Sequence, residues 1–397
     1  MHICMVVFGD LSFDFRVYRE AIALREAGHK ITIVASDRSP DRGQMLPEVW
    51  EVFDVRLIWV NPATSLRVSY PFFWLRAHRV LRQVTADVFH AHDLDSLWPA
   101  AIAARQRRVP LVYDSHELWT EQASLVGRRF IRAFWCWLEK HLISRADRTI
   151  AVSRSIGDIL IKRYGLGDVT IVRNLPPSRN PVKSNRIRRE LRLAKDRVIL
   201  LYQGGFLTDN GLSEQISAMA TVESAALVLI GSGPVEEQLR RQVTDSGLAD
   251  RVFFLPRVPF PELHEYTCSA DIGLCLIKPS GNSFYFSLPN KLFEYMQAGL
   301  AVLACTSPEI RAVVEETEAG EVVDPENVEA IGRHLRALIA DADLRARYSA
   351  AALKAAPFYS WEREAERLLS VYSSLADSHS LTHSHTHTHS LDRGWRP

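Results

Sequence analysis

The segment 282–299, NSFYFSLPNKLFEYMQAG, combines basic, acidic and amide side chains around the start of a predicted helix. A Leu-Pro pair precedes the helix, and its first turn contains Asn290 and Lys291. Unpaired N–H groups at a helix N-terminus and a lysine ammonium both attract phosphate, so this turn predicts a pyrophosphate site. Glu294 follows Lys291 by three residues, where its carboxylate can accept both hydroxyls of a ribose. The alternative is an ordinary lysine–glutamate pair on a helix surface.

A second candidate site is GSGP at 231–234, which follows the apolar run LVLI and precedes a predicted helix. Its exposed backbone N–H groups and the helix dipole can face an anion or a nucleotide. A dinucleotide fingerprint would need a third glycine, but Glu236 stands there, and the next strand ends without an acid to bind a ribose. NAD binding is therefore disfavoured. Either the motif binds a nucleotide, or it is a tight turn whose glycines only make room.

Histidines and carboxylates follow two neighbouring predicted strands, as HAHD at 90–93 with Asp95 beyond it, and as DSHE at 114–117. Strand ends of a parallel sheet meet at one edge, where doubly wound folds bind ligands. The spacing HxH also begins many metal-dependent hydrolases, but no histidine recurs at the later strand ends, so no metal is expected. A purely structural histidine pair is the other alternative. Neither a GxSxG elbow nor a Cys/His couple suggests a covalent nucleophile.

Short apolar runs alternate with helix-period stretches along the body, which predicts βαβ units and parallel sheets. The sequence predicts helices at 14–27, 235–243, 328–339, 342–355 and 361–375. It predicts strands at 3–8, 30–35, 55–60, 87–90, 110–113, 149–152, 168–172, 198–203, 226–230, 252–255, 272–277, 301–304 and 321–323.

A Pro/Ser/Asn-rich stretch at 175–185 breaks this alternation and predicts a domain linker. The prediction is therefore two Rossmann-like domains, 1–174 and 186–357, which face each other across a cleft, with the helix 361–375 crossing back to the first domain. The Ser/Thr/His-rich stretch 378–397 is expected to be a disordered tail.

Composition excludes several classes of protein. The chain has 397 residues, of which 47% are hydrophobic and 24% charged, the profile of a folded protein with two domains. A net charge of +1 and the absence of RNP, helix-turn-helix and zinc-finger signatures argue against nucleic-acid binding. The five cysteines have no zinc spacing, which favours a reducing, cytoplasmic location. No apolar run reaches the ~18 residues of a membrane-spanning helix.

Motifs in order along the chain resemble the retaining GT-B glycosyltransferases of family 4, from His2 to about Leu375. The matching pieces are Gly9 after the first strand, DFRVYREAIALREAGHKITIV, HAHD, DSHE, ADRTIAVS, YQGG, GSGP, LPRVP, ADIGL, LPNKLFEYMQAGLAVLA and WEREAERLLSVY. The resemblance implies an α/β GT-B fold. It also implies transfer of a sugar, with retention of configuration, from a nucleotide donor on the second domain to an acceptor on the first.

The chain departs from the family pattern at two places. Members usually carry an Arg and a Lys in the loop after the first strand of the donor domain, but GFLTDNG at 205–211 has neither. Many members also have a glutamate eight residues before the ribose-binding one, where this chain has Phe286. Lys291, with Arg173 at the linker edge, is expected to supply the missing charge, and Asn282 and Ser283 are expected to contact the donor sugar.

The resemblance and the residues together assign three roles. The catalytic residues are expected to be His92, Lys291 and Glu294. The donor-binding residues are expected to be Gly9, Arg173, Gly204, Gly231, Gly233, Arg257, Val258, Asn282, Ser283, Leu288, Pro289 and Asn290. The acceptor-side residues are expected to be Asp93, His116 and Glu117. The donor is expected to be a UDP- or GDP-sugar, used without a metal or other cofactor; the alternatives are a non-catalytic nucleotide-sugar-binding homologue and a GT-B epimerase.

Two stretches of the first domain, 69–84 and 126–145, combine aromatic residues with several arginines and few acids. Such segments are typical of helices that lie on an anionic membrane surface. They predict peripheral contact with the inner face of the membrane and a lipid-linked acceptor. The alternative is that each helix packs its aromatic side onto its own sheet.

Overall fold

The computed structural model describes residues 1–40, 46–279, 281 and 285–386. The chain forms two compact units. The first contains Met1–Thr120, Gly127–Val172 and the chain from Glu364 onward, and the second contains Glu121–Val126 and Arg173–Arg363. The division after Val172 lies two residues before the predicted end of the first domain.

The first unit is built on a parallel sheet with the strand order β3-β2-β1-β4-β5-β6-β7 among the described residues. Continuous burial along its central strands shows that helices cover both faces, as expected of a doubly wound sheet. Every strand predicted in this half overlaps an observed one. The strands are β1 (His2–Val7), β2 (Lys30–Asp37), β3 (Asp54–Trp59), β4 (Val88–His92), β5 (Leu111–Ser115), β6 (Arg148–Ala151) and β7 (Thr170–Ile171).

Local sequence signals determine where the helices of the first unit begin and end. Asp14 accepts a hydrogen bond from the backbone N–H of Val17, and Ser153 caps a later helix in the same way. Gly165 ends that helix with a φ of 67°, which favours glycine. The helices are α1 (Phe15–Glu26), α2 (Leu66–Leu81), α3 (Leu94–Arg107), α4 (Arg129–Ile143) and α5 (Arg154–Tyr164).

The second unit contains a parallel sheet with the order β10-β9-β8-β11-β12-β13 in the described part of the chain. Its strands are β8 (Val198–Gly205), β9 (Ala225–Ser232), β10 (Val252–Leu255), β11 (Ile272–Cys275), β12 (Ala301–Cys305) and β13 (Gly320–Val323). Its helices are α6 (Arg186–Glu190), α7 (Leu212–Ala218), α8 (Glu236–Asp245), α9 (Phe260–Thr267), α10 (Asn290–Ala298), α11 (Pro308–Thr317), α12 (Val328–Ala340) and α13 (Ala342–Ala355). The two doubly wound α/β units confirm the predicted fold class.

The last helix, α14 (Trp361–Thr386), begins in the second unit and belongs to the first from Glu364 onward. Its buried residues Leu368, Tyr372 and Leu375 attach it there. The helix continues beyond its predicted end, which corrects the expectation of a disordered tail for 378–386; the remainder, 387–397, lies outside the described residues. Each residue added to an existing helix gains a hydrogen bond without a new nucleation cost, so a helix can extend into a sequence of poor helix formers.

Candidate active site

The first turn of α10 brings Lys291 to the carboxyl end of β8. Its Nζ lies 4.0 Å from the centre of the Tyr202 ring, a cation–π distance. A Cβ added to Gly204 would lie 3.2 Å from the same Nζ. Burial lowers the pKa of Lys291 to about 8. The lysine is therefore a partly desolvated cation at a helix N-terminus, where a bound anion would favour its charged form.

The residues beside Lys291 determine what the start of α10 offers a ligand. Pro289 precedes the helix and provides no side-chain cap for its first N–H groups. The buried Oδ1 of Asn290 has no hydrogen-bond partner among the described residues. Leu288 packs against the core of the second unit, and the helix ends at Gly299, as predicted.

Glu294 lies one turn beyond Lys291 and is held by a chain of hydrogen bonds. Gln203 Nε2 donates to Glu294 Oε2, and Thr267 Oγ1 donates to Gln203 Oε1 at 2.8 Å. The backbone N–H of Gln203 donates to the Tyr295 hydroxyl at 3.1 Å. Glu294 is thus part of a buried polar network, an arrangement unlike a simple surface pair. Gln203 and Thr267 were not predicted as site residues; for Gln203 the available signal was a polar residue at the end of the apolar run VILLY.

The glycines of GSGP have a packing role in the structure. A Cβ on Gly231 would lie 1.9 Å from the carbonyl oxygen of Gly204, and one on Gly233 would lie 2.3 Å from that of Phe206. The first turn of α8 also contains Glu236 and Glu237, whose carboxylates oppose an anion. The close contacts favour the alternative in which the glycines make room for β8. The acidic first turn of α8 makes the start of α10 the better candidate for an anion site.

The other predicted donor residues are spread over the two units. Arg257 is exposed and Val258 partly buried in the loop after β10, and the Arg173 guanidinium lies 5.5 Å from the centre of the Tyr359 ring. Gly9 follows β1, so it belongs to the first unit with the histidine cluster. Asn282 and Ser283 lie outside the described residues.

His116 and Asp93 are the partly exposed members of a polar cluster at the ends of β4 and β5. His116 Nε2 lies 3.0 Å from Asp114 Oδ2 and its Nδ1 3.5 Å from Asp93 Oδ2, while its backbone N–H donates to Asp93 Oδ1. Burial opposes a charge on the ring, but the Asp93 and Asp114 carboxylates outweigh it and raise the pKa of His116 to about 10. Asp93 has a φ of 63°, a strained backbone of the kind that concentrates at functional sites. Glu117 follows the cluster and is partly buried.

His92 lies behind His116, with its side chain only 1% exposed. Its Nδ1 is 3.1 Å from His116 Nε2 and 3.6 Å from Asp114 Oδ2. Burial lowers the pKa of His92, which favours the neutral ring, and its Nε2 has no partner in the described residues. His90 stacks on His92, and its Nδ1 lies 2.8 Å from the Tyr372 hydroxyl of α14. The geometry therefore favours His116 over His92 for contact with a ligand.

Four buried side chains of this cluster could in principle bind a cation. The ligand atoms of Glu20, His90, His92 and Asp114 all lie within 4.8 Å of one another. Arg16, however, donates to both oxygens of Asp114 at 2.9 and 2.8 Å and lies 3.0 Å from Glu20. The positive charges of Arg16 and His116 already balance the negative charges of the carboxylates, so a divalent ion would add uncompensated buried positive charge. The ligand atoms are of types that bind metal ions, but the charge already balanced within the cluster disfavours a bound cation.

An exposed apolar face runs along α4 in the first unit. Trp135, Leu138 and Leu142 pack inward, whereas Phe130, Phe134 and Trp137 are 93%, 45% and 55% exposed. The predicted apolar side is thus divided between core and surface. We call the exposed residues of α4 and their counterparts on α2 the aromatic surface; it consists of Phe130, Phe134, Trp137, Leu66, Val68, Phe72 and Leu75.

The two helices of the aromatic surface are connected by ring contacts. The Trp135 ring centre lies 5.1 Å from that of Tyr70 and 6.2 Å from that of Trp74, both on α2. Exposed basic residues flank these rings, including Arg76 and Arg79. Within the described residues, no helix is long and apolar enough to cross a bilayer.

Comparison with known proteins decides the family. The model of Glycosyltransferase Family 4 matches residues 15–175, and that of Glycosyl transferases group 1 matches 183–355. The phosphatidyl-myo-inositol mannosyltransferase of Mycobacterium leprae is 32% identical over 376 residues, 92% of this chain and 93% of the relative. This chain belongs to glycosyltransferase family 4. The D-inositol 3-phosphate glycosyltransferase 1 of Catenulispora acidiphila is 27% identical over 75% of this chain and 76% of its own length.

Solved structures place the glycosyltransferase in the GT-B fold. Sucrose-phosphate synthase from Thermosynechococcus elongatus superimposes with a TM-score of 0.75 at 20% identity, over 95% of this chain and all of the other. Anabaena HepE, solved in complex with UDP, gives a TM-score of 0.72 at 17% identity, over 94% of this chain and 100% of HepE. At these identities the likeness establishes the fold, and it confirms the predicted α/β GT-B architecture.

Proposed function

We propose that this glycosyltransferase moves a sugar from a UDP- or GDP-sugar to a glycan or lipid-linked acceptor, with retention of configuration, in polysaccharide or glycolipid biosynthesis. The observation that carries the proposal is the position of Lys291 and Glu294 on successive turns of α10, beside the end of β8. The departing diphosphate gains negative charge in the transition state. Lys291 and the N–H groups of Leu288 and Asn290 would stabilise that charge, while Glu294 would bind the ribose.

The first unit would hold the acceptor. His116 is fixed between Asp93 and Asp114 as a partly exposed cation, and burial raises the pKa of Asp93 to about 7. Together with Glu117, these groups offer hydrogen-bond partners for a sugar or polyol hydroxyl at the sheet edge. The names of the two relatives describe acceptors that contain inositol and phosphate, which supports an acceptor of this chemistry.

A nucleotide panel tests the donor assignment. Melting temperatures are measured with UDP, GDP, ADP and dTDP, since a ligand at 100 times its Kd stabilises the native state by about 2.7 kcal/mol. We expect UDP or GDP to stabilise, and a sugar donor of that nucleotide to be consumed only with an acceptor. Binding without any turnover would support a non-catalytic homologue, which the missing Arg/Lys pair favours. Consumption without an acceptor would support an epimerase.

The position of Lys291 predicts how nucleotide binding depends on pH. With its pKa lowered to about 8, the unliganded lysine loses its charge as pH rises through that value. A bound diphosphate favours the charged form, so above about pH 8 binding takes up a proton and affinity falls. Calorimetry in buffers of different ionisation enthalpy measures both effects. Constant affinity between about pH 7 and about pH 9.5 would contradict this role.

We propose that transfer does not require a metal ion. Lys291 and the start of α10 supply positive charge for the diphosphate, and Arg16 occupies the carboxylates of the only described cluster with metal-ligand chemistry. Activity is therefore expected to be unchanged after EDTA treatment and desalting. Loss of activity that Mn²⁺ or Mg²⁺ restores would contradict this expectation and point to His90, His92 and Asp114.

We also propose that the aromatic surface binds the inner face of an anionic membrane. Support comes from the exposure of Phe130 and Trp137 and from the basic residues around them. In the stretch 126–145 the single acid, Glu139, is buried and accepts a hydrogen bond from Tyr113 at 3.1 Å. Positive charge on the exposed face is therefore not offset within this segment.

A further inference from the structure

We propose that Gln203 is a positioning residue that fixes the Glu294 carboxylate for the ribose and so sets the affinity for the nucleotide. The inference rests on the proposed function, in which Glu294 binds the donor. Gln203 lies within the family motif YQGG, but none of the roles assigned from the sequence includes it. It lies between Tyr202, whose ring centre is 4.0 Å from Lys291 Nζ, and Gly204, where an added Cβ would lie 3.2 Å from the same Nζ. One strand end would therefore position both donor-binding side chains.

The hydrogen bonds determine which way the Gln203 amide faces. Glu294 can only accept when ionised, so the amide must turn its NH₂ group toward Glu294 Oε2. Its Oε1 then faces Thr267, whose hydroxyl lies 2.8 Å away and can donate. The backbone N–H of Gln203 is also fixed, by the Tyr295 hydroxyl. Two hydrogen bonds therefore hold the side chain and a third holds the backbone of a residue that is only 3% exposed.

A fixed donor on one carboxylate oxygen has two consequences for Glu294. The hydrogen bond favours the ionised carboxylate, the form that accepts from ribose hydroxyls. It also limits the carboxylate to one orientation before the nucleotide arrives, which reduces the entropy lost on binding. Gln203, Thr267 and Glu294 line one depression in the second unit with Gln297, whose Nε2 has no partner among the described residues. Of these two amides, Gln203 is the one that contacts Glu294.

The test compares three variants with the wild type. Gln203→Met keeps the length of the side chain but cannot donate, and Gln203→Glu places a second carboxylate beside Glu294. Gln215→Met is the matched control, because Gln215 is an equally buried glutamine of the second unit that donates to Asn210 O at 3.1 Å. The probe is the nucleoside diphosphate, UDP or GDP, that stabilises the wild type most. Its Kd is measured by calorimetry from about pH 5.5 to about pH 8.

We expect Gln203→Met to weaken nucleotide binding about 10- to 100-fold at every pH, since a hydrogen bond to a charged group is lost. The donor KM should rise by a similar factor with kcat within a few-fold, and Gln215→Met should bind as the wild type does. Gln203→Glu should bind almost normally at low pH, where the two carboxylates share a proton. Its affinity relative to wild type should then fall as pH rises and both ionise.

The outcomes separate this inference from the proposed function. If Glu294→Ala leaves nucleotide affinity unchanged, the donor site itself is wrong. If Glu294→Ala weakens binding but Gln203→Met binds like the wild type, the inference is overturned. If Gln203 has only a structural role, both Gln203 variants should melt at a lower temperature, and the ratio of the Gln203→Glu Kd to the wild-type Kd should not depend on pH. That result would also overturn the inference.

Discussion

Lys291→Ala is expected to lower turnover by about 100-fold or more, the largest effect of any single substitution that we predict. The ammonium is the cation that the structure places at the start of α10, beside Gly204 and the Tyr202 ring. Its attraction to the diphosphate grows as the leaving group gains charge, so its loss raises the barrier more than it weakens donor binding. Steady-state kinetics with saturating acceptor measure kcat and the donor KM separately.

Glu294→Ala serves as the contrasting variant. A carboxylate that binds the ribose contributes equally in the ground state and the transition state, so its removal should raise the donor KM with a smaller effect on kcat. Both side chains are only partly buried, so both variants should fold, and melting temperatures check this. Unchanged kinetics in both variants would contradict the assignment of the donor site to α10.

The sequence predicted the elements around this site because their signals are local. The Leu-Pro pair before Asn290 and the glycine after Ala298 define α10, and the apolar runs define the strands. The side chains that hold the predicted residues in place were not predictable in the same way. Gln203 is far from Glu294 in the sequence, and only the packing of α10 against β8 brings the two together.

The histidine cluster shows a second limit of sequence patterns. The HxH spacing correctly places His90 and His92 on one face, because side chains of a strand alternate. The spacing cannot indicate how deeply each side chain is buried, and His92 lies buried against His116. Arg16 was not singled out from the sequence, yet it is buried against Asp114 and balances charge within the cluster. The outcome depends on how the whole unit packs.

The GSGP motif illustrates how one pattern allows two structures. Glycines after a strand suit both a nucleotide site and a close approach of two chain segments. In the structure Gly231 and Gly233 allow the close approach, since neither position has room for a Cβ beside Gly204 and Phe206, and their role in nucleotide binding stays a prediction. Glu236 at the start of α8 was already visible in the sequence as a departure from the dinucleotide fingerprint.

Reversing charges beside the aromatic surface is expected to abolish vesicle binding. Arg128, Arg129 and Lys140 are exposed on or next to α4, and each basic residue near an anionic bilayer contributes about 1 kcal/mol. Changing all three to glutamate should therefore weaken binding by about 100-fold or more. Arg132 is left unchanged because its Nε donates to the carbonyl oxygen of Thr120. Flotation with vesicles that contain anionic lipid measures the bound fraction.

The control variant makes the same change in net charge on the second unit. Arg311, Arg333 and Lys354 are exposed basic residues of the second unit, and their replacement by glutamate should leave flotation unchanged. Wild-type protein should bind at low ionic strength and dissociate in high salt, because screening shortens the range of the attraction to a few ångströms. Exposed rings such as Phe130 would add apolar contact at the headgroup boundary. If the wild type stays unbound at low salt, the membrane proposal is wrong, and that result would favour a soluble acceptor.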